Sequence, residues 1–142
     1  MIPRSLALVC GVLWPTAAAA QRAASPDDFL ALTRCEAGKA VSSLRSDVRD
    51  SFLVAEVEAH ETVHRDQAAA HGSCEDFIAT LTSARRIIDA ELPAYCAQWK
   101  VAVARGADSA ETRREFAWRI SAQSGAMENR LQVAQRFEQE CR

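Results

Sequence analysis

The chain has 142 residues, including five cysteines, and a formal charge of −2 at neutral pH. This length favours one small domain, and the near balance of acidic and basic residues gives no electrostatic reason to expect nucleic acid as a partner. β-branched residues are sparse, whereas Ala, Glu, Arg, Leu and Gln are abundant. This composition favours an all-α fold.

Residues 1–20 are typical of a secretory signal peptide. A short basic segment precedes a mostly apolar run, and four consecutive alanines supply small residues for cleavage after about Ala20. The apolar run is too short for a membrane span, and a lipoprotein leader acylated at Cys10 is disfavoured by the large residue before it. Cleavage would leave residues 21–142 as a single helical domain, secreted or exported to a bacterial periplasm.

The next two elements are predicted helices. Ser25 and Pro26 are typical of a helix start, and the first helix is expected to cover residues 25–44. The second helix is expected to cover residues 48–71 and to end at Gly72, because glycine readily adopts the left-handed conformation of a helix C-terminus.

Two longer helices complete the prediction. The third covers residues 74–105 and contains Pro93, which should kink it because proline removes one backbone donor. A turn at residues 106–108 separates it from a fourth helix over residues 110–141. The sequence contains no strand-like alternation, so these elements predict a four-helix bundle.

The cysteines predict how such a bundle is cross-linked. Four remain after removal of the leader, namely Cys35, Cys74, Cys96 and Cys141. An even number in a small exported protein indicates two disulfides. If the third and fourth helices are antiparallel about their turn, Cys141 lies level with Cys74, which predicts the pairs Cys74–Cys141 and Cys35–Cys96. A continuous helix would separate Cys74 from Cys96 by about 33 Å, too far for a bond.

The pattern H-E-x-x-H occupies residues 60–64 of the second predicted helix. Its two histidines, His60 and His64, project from one helix face and can share one Zn²⁺, while Glu61 beside them can act as the general base for a zinc-bound water. Both histidines lie on the apolar stripe, where unpartnered polar groups are costly. The alternative is that the imidazoles form hydrogen bonds to the fourth helix or lie at a wet edge of the bundle.

A catalytic zinc usually has three protein ligands, and three residues compete for the third position. His71 follows His64 by seven residues, whereas the extended H-E-x-x-H-x-x-G-x-x-H pattern requires six. Glu56 would make three ligands on one helix span about 12 Å. Glu91 is an acid within the apolar stripe of the following helix, although an ion pair with a nearby arginine would also explain it.

The segments HETVH and AELPAY together resemble zinc metallopeptidases of the gluzincin type. In that family H-E-x-x-H lies on one helix and a glutamate ligand on the next, often in an E-x-x-A setting, which here is residues 91–94. The resemblance is confined to residues 60–95. It implies a Zn²⁺ held by His60, His64 and Glu91.

The same resemblance implies catalytic roles and a peptide or protein substrate. Glu61 would be the general base. Tyr95, one turn after Glu91, could hydrogen-bond a developing oxyanion, although packing in the core is the favoured account of its position.

Two features depart from the gluzincin pattern. Those enzymes place a sheet edge beside the active helix, and no strand is predicted here. In addition, a plain hairpin of the second and third helices turning at Gly72 would put Glu91 about ten residues, or roughly 15 Å, beyond His64. The ligands converge only if residues 72–83 contain a break or the helices cross steeply. Thr80, Thr82 and Ser83 are poor helix formers that could provide the break.

Other functions remain open on the sequence alone. A di-iron carboxylate bundle would need a second E-x-x-H element, and none is present. A disulfide-stapled helical protein could instead bind a partner or sequester a metal. Trp99, Trp118 and the arginines near them could form a partner surface, or else a core edge and a solvated face. The sequence does not indicate an oligomeric state.

Overall fold

The computed structural model describes residues 7–8, 30–125 and 129–142. The helices of this part of the chain are α1 (Ser51–Ala70), α2 (Cys74–Thr80), α3 (Ala84–Val103), α4 (Ala110–Ser124) and α5 (Arg130–Glu140). The strands are β1 (Ala7–Leu8), β2 (Ala31–Glu36) and β3 (Lys39–Leu44). The protein is therefore mostly helical but contains a small antiparallel sheet, and it is not a four-helix bundle.

The first predicted helix is wrong, because residues 31–44 form the β2–β3 hairpin. Ala37 and Gly38 both have positive φ angles, 50° and 81°, which is the backbone of the two-residue turn that joins twisted strands tightly. One face of the hairpin is buried, with Ala31 and Thr33 only 3% and 1% exposed. Burial against α1 thus overrides the helical preference of this segment. Residues 25–29 of the predicted helix lie outside the described part of the chain.

The second predicted helix is confirmed as α1, within three residues at each end. Asp50 caps its N-terminus by accepting hydrogen bonds from the backbone N–H groups of Phe52 and Leu53, at 2.7 and 3.1 Å. Gly72, with a φ of 88°, follows its C-terminus. The helix carries the hairpin on one side and α3 on the other, so both of its flanks are covered.

The third predicted helix is interrupted at residues 81–83, between α2 and α3. Ser73 and Ser83 each cap the helix that follows, accepting from the backbone N–H groups of Asp76 and Arg86 at 3.1 and 3.3 Å. Serine favours such caps because its hydroxyl satisfies a free helix N–H. The chain therefore takes a short detour through α2 before α3 runs back along α1.

The fourth predicted helix is likewise divided. α4 ends at Gly125, whose φ of 67° is the left-handed conformation of a C-cap. α5 then turns back and packs on both α4 and α3. Aromatic side chains from these three helices, including Trp99, Phe116 and Phe137, build the larger part of the core.

Two disulfides are present, as predicted, but both predicted pairings are wrong. The bonds are Cys35–Cys74 and Cys96–Cys141, with Cα–Cα distances of 5.5 and 4.7 Å. The break before α3 lets α2 dock on the hairpin turn, where the backbone N–H of Cys74 donates to Gly38 O at 2.8 Å. The turn at Gly125 returns the chain end to α3. Neither change in direction was expected from helical periodicity.

The remaining predictions concern membrane-spanning helices, the leader and the cellular compartment. Among the described residues, no helix combines the length and apolarity needed to cross a bilayer. The predicted leader, residues 1–20, lies outside the described part of the chain except for Ala7 and Leu8, which pair with Arg34 and Thr33 of β2. The two disulfides are compatible with an oxidising compartment such as the periplasm or the extracellular space.

Candidate metal centre

The histidines of the H-E-x-x-H pattern face α3 from successive turns of α1. Four residues of helix rotate by little more than one turn, so side chains at this spacing stack on one face. His60 and His64 are 0% and 1% exposed, and their Nε2 atoms lie 3.1 Å apart. The two rings therefore present adjacent nitrogens toward the same point in the protein interior.

Glu91 supplies a carboxylate at that point from α3. Its Oε2 lies 3.5 Å from His60 Nε2, and its Oε1 lies 3.5 Å from His64 Nε2. The break at residues 81–83 makes this possible, because α3 starts afresh at Ala84 rather than continuing the direction of α2. The sequence predicted that these ligands converge only if the helix is broken between residues 72 and 83, and the break at residues 81–83 lies in that interval.

The three side chains form a compact group of candidate metal ligands. Their ligand atoms all lie within 4.8 Å of one another. Zinc ligands at about 2.0–2.1 Å in tetrahedral geometry are separated from each other by roughly 3.3–3.4 Å. The separation of the two Nε2 atoms, 3.1 Å, is close to such an edge, and each Nε2 lies 3.5 Å from a different oxygen of the Glu91 carboxylate. A buried His60, His64 and Glu91 group of this geometry could hold one metal ion.

Gln67 orients the His64 ring. Its Nε2 donates to the carbonyl oxygen of Ala90 at 2.9 Å, so its Oε1 must be the atom that faces His64 Nδ1, also at 2.9 Å. An amide oxygen only accepts hydrogen bonds, so Nδ1 is the protonated nitrogen of the ring. His64 Nε2 is consequently the nitrogen available to a metal, and metal-binding histidines commonly have their other ring nitrogen hydrogen-bonded to an acceptor in this way.

The electrostatics of the metal-free site couple Glu91 to His64. Burial would raise the pKa of Glu91, but the charges and hydrogen bonds of His64 and His60 together outweigh it and hold that pKa well below its usual range. Burial would likewise lower the pKa of His64, but the Glu91 carboxylate raises it to about 9. A cation in this position therefore stabilises the buried carboxylate, whether that cation is a proton on His64 or a metal ion.

Glu61 is buried on the flank of α1 that faces the hairpin. Its Oε2 accepts a hydrogen bond from Thr33 Oγ1 of β2, while no described residue hydrogen-bonds its Oε1. Burial raises the pKa of this carboxyl group, although the neighbouring histidines oppose the shift. Glu61, the predicted general base, thus lies next to His60 in the chain and has one carboxylate oxygen to which no described residue hydrogen-bonds.

Tyr95 lies next to the cluster, on the same face of α3 as Glu91. Its fully buried ring meets the His60 ring edge to face, with centroids 4.5 Å apart, and also packs on Phe116 at 6.0 Å. The ring therefore limits the movement of His60. These contacts make Tyr95 part of the hydrophobic core next to His60 and leave its suggested oxyanion role a prediction.

The alternative ligands lie apart from the cluster. His71 is exposed at the end of α1, where its Nδ1 is 2.9 Å from Gln67 O and its ring packs on Phe77 at 5.3 Å. Among the described residues, neither His71 nor Glu56 joins the group that could hold a metal. Glu91 is therefore the candidate among these three residues that lies within reach of both histidines.

Two contributors were not predicted from the sequence. Gln67 occupies the position where the longer H-E-x-x-H-x-x-G-x-x-H pattern has glycine, and its place at i+3 from His64 was the available signal. Thr33 was assigned to a helix, so no signal connected it to Glu61.

A scan against models of known protein families, a search of curated proteins and a search of solved structures each gave no match.

Proposed function

We propose that this protein is an exported zinc-dependent metallohydrolase that cleaves peptide bonds. The observation that carries the proposal is the convergence of three buried side chains: the Nε2 atoms of His60 and His64 lie 3.1 Å apart, and each lies 3.5 Å from one oxygen of Glu91. Glu61 lies on the same turn of α1, with one carboxylate oxygen unused. Three candidate zinc ligands with a carboxylate beside them are the residues that an H-E-x-x-H hydrolase requires.

Each residue then has a defined task. Zinc bound to the three ligands would supply a polarised water of lowered pKa. Glu61 would accept the proton of that water and later deliver it to the departing amine. Burial raises its pKa, which favours proton uptake by this group relative to an exposed glutamate. Tyr95 is the group from which we expect a hydrogen bond to a developing oxyanion.

The sheet beside α1 supports a peptide substrate. Gluzincin-type enzymes, which the residues HETVH and AELPAY resemble, hold an extended peptide along a strand next to the active helix, and the hairpin supplies the strand absent from the sequence prediction. β2 is paired with β3 on one edge and with the short strand Ala7–Leu8 on the other. Leu8 lies opposite Thr33, the residue bonded to Glu61, and removal of the predicted leader would free this edge for an extended peptide beside the general base.

A second function, metal sequestration without hydrolysis, is favoured by the burial of the site. The three ligand side chains are at most 5% exposed. The two cavities described on the protein lie elsewhere, one beside Trp99 and Arg113 and the other beside Asp89 and Arg136. Burial of this kind would shield a bound metal from solvent, and sequestration requires no substrate.

Metal analysis and hydrolysis assays on matched variants separate these functions. Protein produced in an oxidising compartment and purified without chelator should contain one zinc per chain, and Glu91→Ala should contain little. Glu61→Gln should keep its zinc but lose hydrolysis of a mixed peptide library. Glu56→Gln, on the same helix but outside the cluster, should match the wild type in both. A zinc-loaded wild type that cleaves no peptide would leave sequestration as the function.

A further inference from the structure

A line of hydrogen bonds joins the buried carboxylate of Glu61 to the protein surface through the hairpin. Thr33 on β2 lies directly opposite Ser42 on β3, and their hydroxyl oxygens are 2.6 Å apart. Thr33 is 1% exposed and donates to Glu61 Oε2. Ser42 Oγ accepts from Arg65 Nη1 at 3.0 Å. Two side chains, those of Ser42 and Thr33, therefore connect a surface cation to the proposed general base.

The direction of each hydrogen in this line is fixed by chemistry. A guanidinium group can only donate, so Arg65 must donate to Ser42. The single hydroxyl hydrogen of Ser42 is then free to be donated to Thr33 Oγ1. The hydroxyl hydrogen of Thr33 is donated to Glu61 Oε2. An ionised carboxylate accepts such bonds strongly. Every donor in the line therefore points toward Glu61.

Arg65 is itself held in place at the outer end. Its Nη2 donates to Glu58 Oε1 at 2.5 Å and to Thr62 Oγ1 at 2.7 Å, both on α1. The guanidinium thus bridges α1 to β3 and is only partly exposed, at 31%. Its position depends on several contacts, which gives the line a fixed starting point.

The inner end of the line decides how Glu61 is oriented. The terminal torsion of a glutamate side chain is broad and weakly constrained, and a general base must meet its proton within hydrogen-bond reach. Because Thr33 occupies Oε2, the carboxylate plane is fixed and Oε1, which no described residue hydrogen-bonds, is left for the reacting group. Removal of the Thr33 hydroxyl would free the carboxylate to rotate.

We propose that Thr33 is a positioning residue for Glu61, supported in turn by Ser42 and Arg65. This inference rests on the proposed function, because orientation of a general base matters only if the protein hydrolyses a substrate. It assigns a task to the hairpin beyond substrate support. The strand would determine which oxygen of Glu61 faces the metal centre.

The test compares Thr33→Val, which keeps the shape but removes the hydroxyl, with Thr33→Ser, which keeps the hydroxyl. Loss of a supporting hydrogen bond of this kind typically costs about 10- to 100-fold. We expect Thr33→Val to lower kcat by that factor with KM and zinc content unchanged, and Thr33→Ser to restore most of kcat. Ser42→Ala should give a smaller loss of kcat, and Ser43→Ala, at the exposed neighbouring position, should give none.

A stability measurement checks the contact independently of activity. In urea unfolding of the metal-free protein, the midpoint shift caused by Thr33→Val should be smaller in a Glu61→Ala background than in the wild type, because the two residues share one hydrogen bond. Additive shifts would overturn the proposed contact. If Thr33→Val does not fold, Ser42→Ala decides the question, and an unchanged kcat in that variant would overturn the inference.

Activity outcomes distinguish the inference from the function beneath it. A wild type that hydrolyses peptides, together with a Thr33→Val variant of unchanged kcat, would overturn the positioning role and leave the hydrolase proposal intact. A zinc-loaded wild type without hydrolysis would overturn both.

Discussion

His64 and Gln67 share a hydrogen bond of 2.9 Å between Nδ1 and Oε1, and this bond determines which ring nitrogen faces Glu91. Gln67 is fixed in turn by its donation to the backbone of α3 at Ala90. The amide therefore links the helix that carries two of the candidate ligands to the helix that carries the third. Its contribution to metal binding can be measured without disturbing a ligand.

We expect Gln67→Ala to lower zinc affinity by about 10- to 100-fold, because the His64 ring loses the partner that fixes its tautomer and orientation. Competition with a chromogenic chelator would measure the change. Gln139→Ala, at an exposed position of α5, is the matched control and should bind zinc as the wild type does. Equal affinity in the two variants would show that Gln67 does not support the site.

Zinc should stabilise the folded protein. A ligand present at 100 times its Kd adds about 2.7 kcal/mol to the free energy of unfolding, which corresponds to a Tm increase of about 10 °C for a domain of this size. Differential scanning calorimetry with and without zinc would show the increase in the wild type. The increase should disappear in His60→Ala and Glu91→Ala, and a zinc-dependent Tm in either variant would place the metal elsewhere.

Zinc affinity should rise with pH up to about 9. Burial opposes protonation of His64, but Glu91 raises its pKa to about 9, so the metal-free site holds a proton on this ring at neutral pH. Zinc needs the neutral imidazole and must displace that proton. The affinity should therefore fall about tenfold for each unit of pH below the pKa. Chelator competition between about pH 6 and pH 8 measures the slope, and a flat profile would contradict the coupling.

The disulfide pairing can be tested directly. Non-reducing digestion followed by mass spectrometry should give one cross-linked pair of peptides containing Cys35 and Cys74 and another containing Cys96 and Cys141. Each bond closes a loop of about 40 residues, which in the chain-entropy model stabilises the fold by about 4 kcal/mol. Loss of either bond by paired Cys→Ser substitution should lower Tm markedly. Recovery of a Cys74–Cys141 peptide would contradict the fold.

Sequence reasoning succeeded where local spacing and composition were sufficient. Helix α1 and the approach of His60, His64 and Glu91 could be predicted because a four-residue spacing fixes one helix face, and an acid within an apolar stripe requires a partner. A plain hairpin would have put Glu91 too far from His64, and this conflict predicted a break within residues 72–83, where the chain does break. These inferences depended on short stretches of regular helix.

The errors arose where the chain changes direction. Residues 31–44 contain good helix formers, and only burial against α1 makes them strands. The turn at Gly125 lies inside a pattern that helical periodicity extends to residue 141, so the return of α5 was not predicted. Both disulfide pairings depended on these changes in direction. Tertiary packing, rather than local preference, decided each of them.

The Cys35–Cys74 bond has a consequence for the environment in which the proposed chemistry can operate. Cys35 lies two residues from Thr33 on β2, so the cross-link anchors the strand that touches Glu61 to α2. Thiol reductants would release that anchor and loosen the base from its support while every candidate ligand remained chemically intact. The protein would then keep its candidate metal ligands but lose the orientation of Glu61. Its hydrolytic activity would therefore depend on the redox potential of its surroundings.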